Sequence, residues 1–210
     1  MTINELAELI IKSAAGSSRF IVAIAGPPAS GKSTIAEKLS TTIAAKDKNS
    51  VPNIVPMDGF HLDNKILDDL NLRERKGASQ TFDADGFIAL IEKIYSEDEN
   101  IKIPEFNRTK DKVVDNGKMI TGENKIVIVE GNYLFLEEAP WNVLMGFFDL
   151  PIFILPKTEI LEKRLIDRWL EQGFSLENAK TKAYSNDIPN AKSVLANSAY
   201  VDHTYEEISS

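Results

Sequence analysis

Gly26-Pro27-Pro28-Ala29-Ser30-Gly31-Lys32-Ser33 fits the pattern G-x-x-x-x-G-K-[ST] at every required position. A loop of this kind closes backbone N–H groups around phosphate oxygens, and its glycines leave the approach clear of Cβ atoms. In this reading Gly26, Pro27, Ala29, Ser30, Gly31 and Thr34 surround the phosphates of a nucleotide. Lys32 reaches the β- and γ-phosphates, and the Ser33 hydroxyl faces Mg²⁺. The flanks suit the chemistry. Phe20-Ile21-Val22-Ala23-Ile24-Ala25 is apolar and β-branched, as a buried parallel strand should be. Thr34-Ile35-Ala36-Glu37-Lys38-Leu39 opens a helix whose positive end faces the phosphates. Such a loop predicts nucleotide binding and leaves open what the nucleotide is used for.

Three carboxylates, Asp58, Asp83 and Glu130, fall at or just past expected strand ends. Glu130 directly follows Ile126-Val127-Ile128-Val129, where a phosphate-loop enzyme places an acidic residue to hold Mg²⁺ or its water shell. A carboxylate there can also serve only a loop, although a buried strand rarely ends in Glu without a partner. Asp58 sits where an acceptor hydroxyl meets a γ-phosphate, and a carboxylate there can accept the hydroxyl proton. Asp58-Gly59 reads equally well as a plain turn, and spacing alone does not choose.

The elements that must position these groups follow from pattern. Thr2-Ile3-Asn4-Glu5 forms a capping box for an amphipathic helix to about Ala15. The helix after the phosphate loop runs to about Lys46, and a short strand over 53–57 ends at Asp58-Gly59-Phe60-His61. Residues 66–72 read as helical and 73–79 as a charged loop. Asp83 is a candidate N-cap for a helix over 84–95 with Phe87, Leu90, Ile91 and Ile94 on its apolar face. A strand over 101–106 follows, and Asn116-Gly117 predicts a hairpin turn between Val113-Val114 and Met119-Ile120. Residues 125–129 and 151–155 read as buried strands. Thr158 is expected to cap a helix to Gln172, Ser175 opens another, and the tail beyond 200 holds one last short strand. Strands alternating with helices predict an α/β sandwich around a parallel sheet, with ligands at the carboxyl ends of its strands.

Composition bounds the class. A chain of 210 residues, 43% hydrophobic and 27% charged, is an ordinary globular domain, expected here as one unit over 1–210. No apolar run is long enough to span a membrane, and no basic-then-apolar leader opens the sequence. With no cysteine there is no thiolate chemistry, which fits a cytoplasmic protein. A net charge of −8 argues against a broad nucleic-acid surface but leaves room for a local basic pocket.

Four blocks in order carry a resemblance. They are the stretch from Gly26 to Thr34, Pro56-Met57-Asp58-Gly59-Phe60-His61, Lys76-Gly77-Ala78-Ser79-Gln80-Thr81-Phe82-Asp83, and Val129-Glu130-Gly131-Asn132-Tyr133-Leu134. Together they resemble the phosphoribulokinase/uridine kinase/pantothenate kinase family, nearest its bacterial fructose transport system kinase or uridine kinase-like subgroup. The resemblance covers about 19–202. It implies a P-loop NTP hydrolase fold with a five-stranded parallel sheet, and an ATP- and Mg²⁺-dependent kinase acting on a hydroxyl of a small metabolite. Asp58 then matches the catalytic Asp, Asp83 an Asp that holds sugar hydroxyls in nucleoside kinases, and Glu130 the acidic residue near the metal. Pro104-Glu105-Phe106-Asn107-Arg108 resembles part of an acceptor-side hairpin, over about 101–122, with Arg108 facing the substrate. Residues 160–190 resemble a helical lid, where Arg164 and Arg168 neutralise charge on the moving phosphoryl group and the nucleotide. Asn186-Asp187-Ile188-Pro189-Asn190 looks like a subgroup feature near the nucleotide.

There are departures. Ser79 stands where the family often has Pro, Asp58-Gly59-Phe60-His61 is nearer the pantothenate kinase form, and Gly173 is followed by Phe174 rather than Arg. These point away from a pyrimidine nucleoside. His61, Lys76, Phe82 and Tyr133 are further candidates for the acceptor site, and Arg73 and Arg75 join Lys76 in a run that could attract an anionic acceptor. Each has a plainer reading as a turn histidine, a solvated charge or core aromatics. Trp141, Trp169 and His203 read as structural. Homodimers are common among related kinases. A nucleotide-dependent regulatory module with weak ATPase activity remains the alternative; the second small-molecule pocket expected around Asp83 and the hairpin favours the kinase.

Overall fold

The computed structural model describes residues 1–48, 50–98, 100–107 and 109–206. Every residue of β1 (Phe20–Ala25) and of β5 (Ile126–Gly131) is buried. Two such strands are apolar on both faces, so they must lie inside a sheet covered on both sides. The sheet is five-stranded, in the order β2 (Asn53–Pro56), β5, β1, β6 (Leu150–Ile154), β7 (His203–Tyr205). All neighbouring pairs are parallel.

The period-two alternation of β1 and β5 sorts the core into two layers. Ile21, Ala23, Ala25, Val127 and Val129 face α4 (Ala84–Tyr95), which contributes Phe87, Leu90, Ile91 and Ile94. Val22, Ile24, Ile126 and Ile128 face α1 (Ile3–Ser13) and α2 (Lys32–Lys46), through Leu6 and Ile10 on one and Ile35, Leu39 and Ile43 on the other. Full burial of each such Leu or Ile stabilises by about 1.5–3 kcal/mol. The α1 end is fixed by its capping box: Glu5 N donates to Thr2 Oγ1 and Thr2 N to Glu5 Oε2. A third, smaller core joins α5 (Thr158–Glu171) to the chain over 183–191 through Leu161, Leu165, Ala183 and Ala191, and Ala29 of the phosphate loop packs against it.

Several local expectations change. Thr158 is the first helical residue of α5, and its N-cap, Lys157, makes no side-chain cap. The helix expected over 66–72 is α3 (Asn64–Asp69), capped by Asp63, whose carboxylate accepts from Lys65 N. The charged loop contains a 3₁₀ turn at Arg73–Arg75. Asn116-Gly117 is not a hairpin turn. β3 (Ile101–Asn107) pairs antiparallel with β4 (Lys112–Ile120), Asn107 facing Lys112, so the chain reverses between those two residues. Val113 and Val114 face Phe106 and Glu105, while Met119 faces Lys102, and the register shifts between Lys102 and Pro104. Pro104 has no N–H to donate to the ladder, and extra residues of β4, Asn116 and Gly117 among them, are accommodated there as a bulge.

That hairpin is docked on the main body through Gly59. A Cβ at Gly59 would stand 2.2 Å from the Pro104 carbonyl oxygen, and backbone cannot step aside as a flexible side chain could. Gly59→Ala is therefore expected to destabilise by roughly 2 kcal/mol, a fall in Tm of about 4–8 °C in a thermal melt. An unchanged Tm would mean the hairpin is not packed on this turn.

Candidate active site

The loop between β1 and α2 is shaped by two constraints. A Cβ on Gly26 would sit 2.7 Å from the Ile154 carbonyl oxygen, so glycine lets the chain leave β1 against β6. Gly31, the last residue before α2, has φ +88°, and Ala29 also takes a left-handed backbone with φ +62°. Such a conformation is uncommon for a residue with a side chain and turns successive N–H groups to one side. No side chain caps α2 and no acidic residue occupies its first turn, so the positive helix end is available to an anion. Lys32 is only 7% exposed and folds over the loop, its Nζ donating to Pro27 O at 2.9 Å and to Ser30 Oγ at 3.4 Å.

Strand register sets the next group. Glu130 pairs with Ile24 in β1 and with Pro56 in β2, so it emerges between the phosphate loop and the end of β2. It too is 7% exposed, and Ser33 Oγ donates to its Oε1 at 3.0 Å. One hydroxyl and one carboxylate oxygen at hydrogen-bond distance suit Mg²⁺, which takes few protein ligands and completes its shell with water and phosphate. Among the described residues no group of three or more His, Cys, Asp or Glu could hold a metal by itself.

One strand further out, Asp58 lies half-buried in the 3₁₀ turn Met57–Phe60. Its backbone carbonyl accepts from His61 N at 3.2 Å and lies 2.9 Å from His61 Nδ1. A carbonyl only accepts, so Nδ1 carries the proton. The His61 ring is held between Phe82 and Phe106, at 4.1 and 4.5 Å between centroids. Phe82 and Tyr133 are buried in an aromatic cluster with Trp141. The Tyr133 hydroxyl donates to Gly77 O at 2.6 Å, and burial pushes its pKa well above the ordinary phenol value, so it remains a donor. Asp83 is the N-cap of α4, its Oδ1 accepting from Gly86 N at 3.0 Å, and it is exposed. It lines a cavity of about 520 Å³ with Leu62, Gln80, Phe82 and Trp141, one that does not include Asp58, Lys32 or Tyr133.

The basic loop is tied to its surroundings. Lys76 Nζ lies 2.7 Å from both Asn64 Oδ1 and Asp111 Oδ1, and 5.1 Å from the Phe106 ring centre. Burial works against the Asp111 charge, but the hydrogen bonds from Lys76 and Asn64 hold its carboxyl below the usual range. Arg75 donates through Nη1 to Ser185 O and through Nη2 to Asn190 Oδ1, both at 3.2 Å. Asn190 Nδ2 donates to Asn186 Oδ1, and Asn186 Nδ2 donates to Lys76 O at 2.8 Å. Asn186 lies in a π-helical turn, Ala183–Asp187, that joins α6 (Leu176–Lys182) to α7 (Ile188–Asn197). Sequence reasoning missed Asn64, Asp111 and Ser185 altogether; Asn186 and Asn190, four residues apart on a helix, were the available signal. On α5, Arg164 is half-buried and Arg168 exposed. Trp169 Nε1 donates to Asp187 Oδ2 at 2.5 Å. Arg108 lies outside the described residues.

The model of the Phosphoribulokinase / Uridine kinase family matches residues 21–198. A protein of Escherichia coli K12 described as uncharacterized, YggC, is 36% identical over 185 residues, covering 86% of this chain and 74% of that protein. A Schizosaccharomyces pombe protein assigned as a uridine kinase is 30% identical over 198 residues, covering 90% and 84% of the two chains. The chain spans about half the length, 49%, of an Enterococcus faecalis pantothenate kinase to which it is 30% identical. Among solved structures, a Silicibacter sp. TM1040 protein assigned as a fructose transport system kinase superposes with a TM-score of 0.90 at 34% identity, over 98% of this chain and 99% of that one.

Burial pushes the Asp187 carboxyl above its ordinary 3.8, against the opposing hydrogen bond from Trp169 and the charges of Arg168 and Lys182. The folded protein therefore holds a proton there more readily than the unfolded chain does. The stabilisation is complete below the ordinary carboxylate pKa and is lost as pH rises through the raised one. Asp187→Asn should flatten that acid-side fall and leave Tm at pH 7 unchanged or higher, since an amide oxygen still accepts from Trp169. A clear drop in Tm at pH 7 would mean that the carboxylate charge itself is required.

Proposed function

Because this chain belongs to the phosphoribulokinase/uridine kinase family and is a P-loop kinase, its site has a donor and an acceptor to place, and we propose that it transfers the γ-phosphate of ATP to a hydroxyl of a sugar, nucleoside or pantothenate-like metabolite. The observation that carries the reading is the convergence of the phosphate loop, Glu130 and the Asp58 turn at the carboxyl ends of three adjacent parallel strands. The loop from Gly26 to Thr34 takes the nucleotide phosphates, and Lys32 exchanges its loop contacts for phosphate oxygens. Ser33 and Glu130 would hold Mg²⁺, which when bound spreads the charge of the phosphates.

Asp58 accepts the acceptor's hydroxyl proton while that oxygen bonds to the γ-phosphorus, the bond to the bridging β–γ oxygen breaks, and ADP leaves. Arg164, on the helical lid, offsets charge on the phosphoryl group in transit, and Arg168, one turn further along the same helix, does so for the nucleotide. Most of the acceleration comes from alignment and charge neutralisation. His61, held by Phe82 and Phe106, floors the acceptor side, and Asp83 offers a carboxylate for acceptor hydroxyls from the neighbouring cavity. The reading takes residues 1–210 as one kinase domain working in the cytoplasm; among the described residues no helix is long and apolar enough to cross a membrane.

The test is ADP release from ATP with Mg²⁺ against a panel of sugars, nucleosides and vitamin alcohols. One acceptor class should stimulate release. Asp58→Asn should lower that turnover by about 10²–10⁴-fold with nucleotide affinity nearly unchanged. Equal turnover in the variant would remove Asp58 as the base. Hydrolysis indifferent to every acceptor would favour a nucleotide-dependent switch.

A further inference from the structure

Three cations stand in the loop over 73–76, and the structure treats them differently. Arg73 Nη2 pairs with Asp68 Oδ2 at 2.7 Å, and Lys76 Nζ with Asp111 Oδ1 at 2.7 Å. Arg75 is half-buried and, among the described residues, has no carboxylate partner; it donates only to a backbone carbonyl and an amide oxygen, both neutral. Two neutral oxygens orient a guanidinium without cancelling its charge, and a partly desolvated charge left in that state favours a counter-ion. Two of its five N–H groups are engaged, which leaves donors for a carboxylate or phosphate.

The placement is specific. The loop that carries Arg75 packs against the acceptor side: Tyr133 donates to Gly77 O two residues on, and Lys76 stands 5.1 Å from the Phe106 ring that lies against His61, whose Nδ1 is 2.9 Å from the Asp58 carbonyl. The orientation is built in. A guanidinium accepts nothing, so the Asn190 oxygen must face Arg75 and its amide nitrogen must face Asn186. The Asn186 nitrogen is thereby turned to the Lys76 carbonyl, which closes the ring of contacts back onto the residue after Arg75. A fork held in place before the ligand arrives loses little freedom on binding.

We propose that Arg75, held by Ser185 and Asn190, is the acceptor's anion contact, and that the acceptor is accordingly a hydroxy acid or a phosphorylated alcohol rather than a neutral polyol or nucleoside. This rests on the kinase reading above: the hydroxyl lies at Asp58 and the carboxylate or phosphate at Arg75. The same guanidinium chemistry would also suit the γ-phosphate of the nucleotide, and the test separates the two sources.

The experiment uses acceptor pairs that differ in one anionic group: glycerate and glycerol, gluconate and glucitol, ribose 5-phosphate and ribose, pantothenate and pantothenol. The charged member of at least one pair should show kcat/KM at least ~10-fold above its partner, equivalent to about 1.4 kcal/mol. Arg75→Gln should raise KM for that acceptor by ~10-fold or more with a smaller change in kcat and none in the KM for ATP, and Arg75→Lys should recover part of the loss. Asn190→Ala should raise the same KM, with little further effect when combined with Arg75→Gln. If a neutral member is the better acceptor and Asp58→Asn abolishes its turnover, the kinase reading stands and this proposal fails. If Arg75→Gln raises the KM for ATP instead, the anion is the nucleotide's and the proposal fails. If no pair is turned over, sulfate decides: added to protein saturated with Mg²⁺ and a non-hydrolysable ATP analogue, it should raise Tm in the parent and not in Arg75→Gln. No rise in the parent would overturn the assignment.

Discussion

The parallel pairing of β1 with β5 is the constraint on which the rest of the site depends. Phe20 lies beside Ile126 and Ala25 beside Gly131, so both strands end together. The phosphate loop leaves one and Glu130 closes the other, within reach of the Ser33 hydroxyl. β2 pairs on the far side of β5 with Pro56 beside Glu130, which brings the Asp58 turn to the same level. Because side chains alternate, a slip of one residue in either ladder would turn Glu130 to the opposite face and move an apolar residue into its place. The burial of every residue in β1 and β5 opposes such a slip.

Around this frame the protein places cations against an acidic whole. A net charge of −8 gives no general attraction for a nucleotide, so the attraction is local. At the phosphate loop itself the fold sets the uncapped end of α2 and the buried Lys32. Other cations of the fold lie against aromatic rings. Lys76 lies against Phe106, and Lys182 stands 4.9 and 5.2 Å from the ring centres of Trp169 and Phe174. The helical segment after β6 touches the phosphate loop through Ala29 and the 73–76 loop through Asn186, so it joins the two loops.

Much of this could be read from the chain. A glycine loop between an apolar run and a helix announces itself, because backbone conformation and phosphate chemistry both demand those residue types. Glu130 was legible because a carboxylate closing a fully apolar strand needs a reason. The capping box at Thr2 and the caps at Asp83 and Ser175 were legible because capping is a local interaction, complete within four residues. Asn116-Gly117 misled because the dipeptide also suits a bulge, and the nearby Pro104, on the partner strand, decides between the two. The Lys76–Asp111 and Asn186–Lys76 contacts were invisible because they join segments distant in sequence, and no local pattern states which loops the fold will bring together.

The position of β1 in the sheet has a consequence for how the protein comes into being. The strand that carries the phosphate loop leaves the ribosome well before its two neighbours, β5 and β6. Until then an apolar segment suited to burial on both faces has no strand to pair with, and closing so long a loop must precede any return in hydrogen bonds. The capacity to hold a nucleotide thus cannot accumulate gradually along the growing chain. It must wait for β5 and β6, and in the interval the nascent β1 needs shelter from other chains more than it needs its ligand.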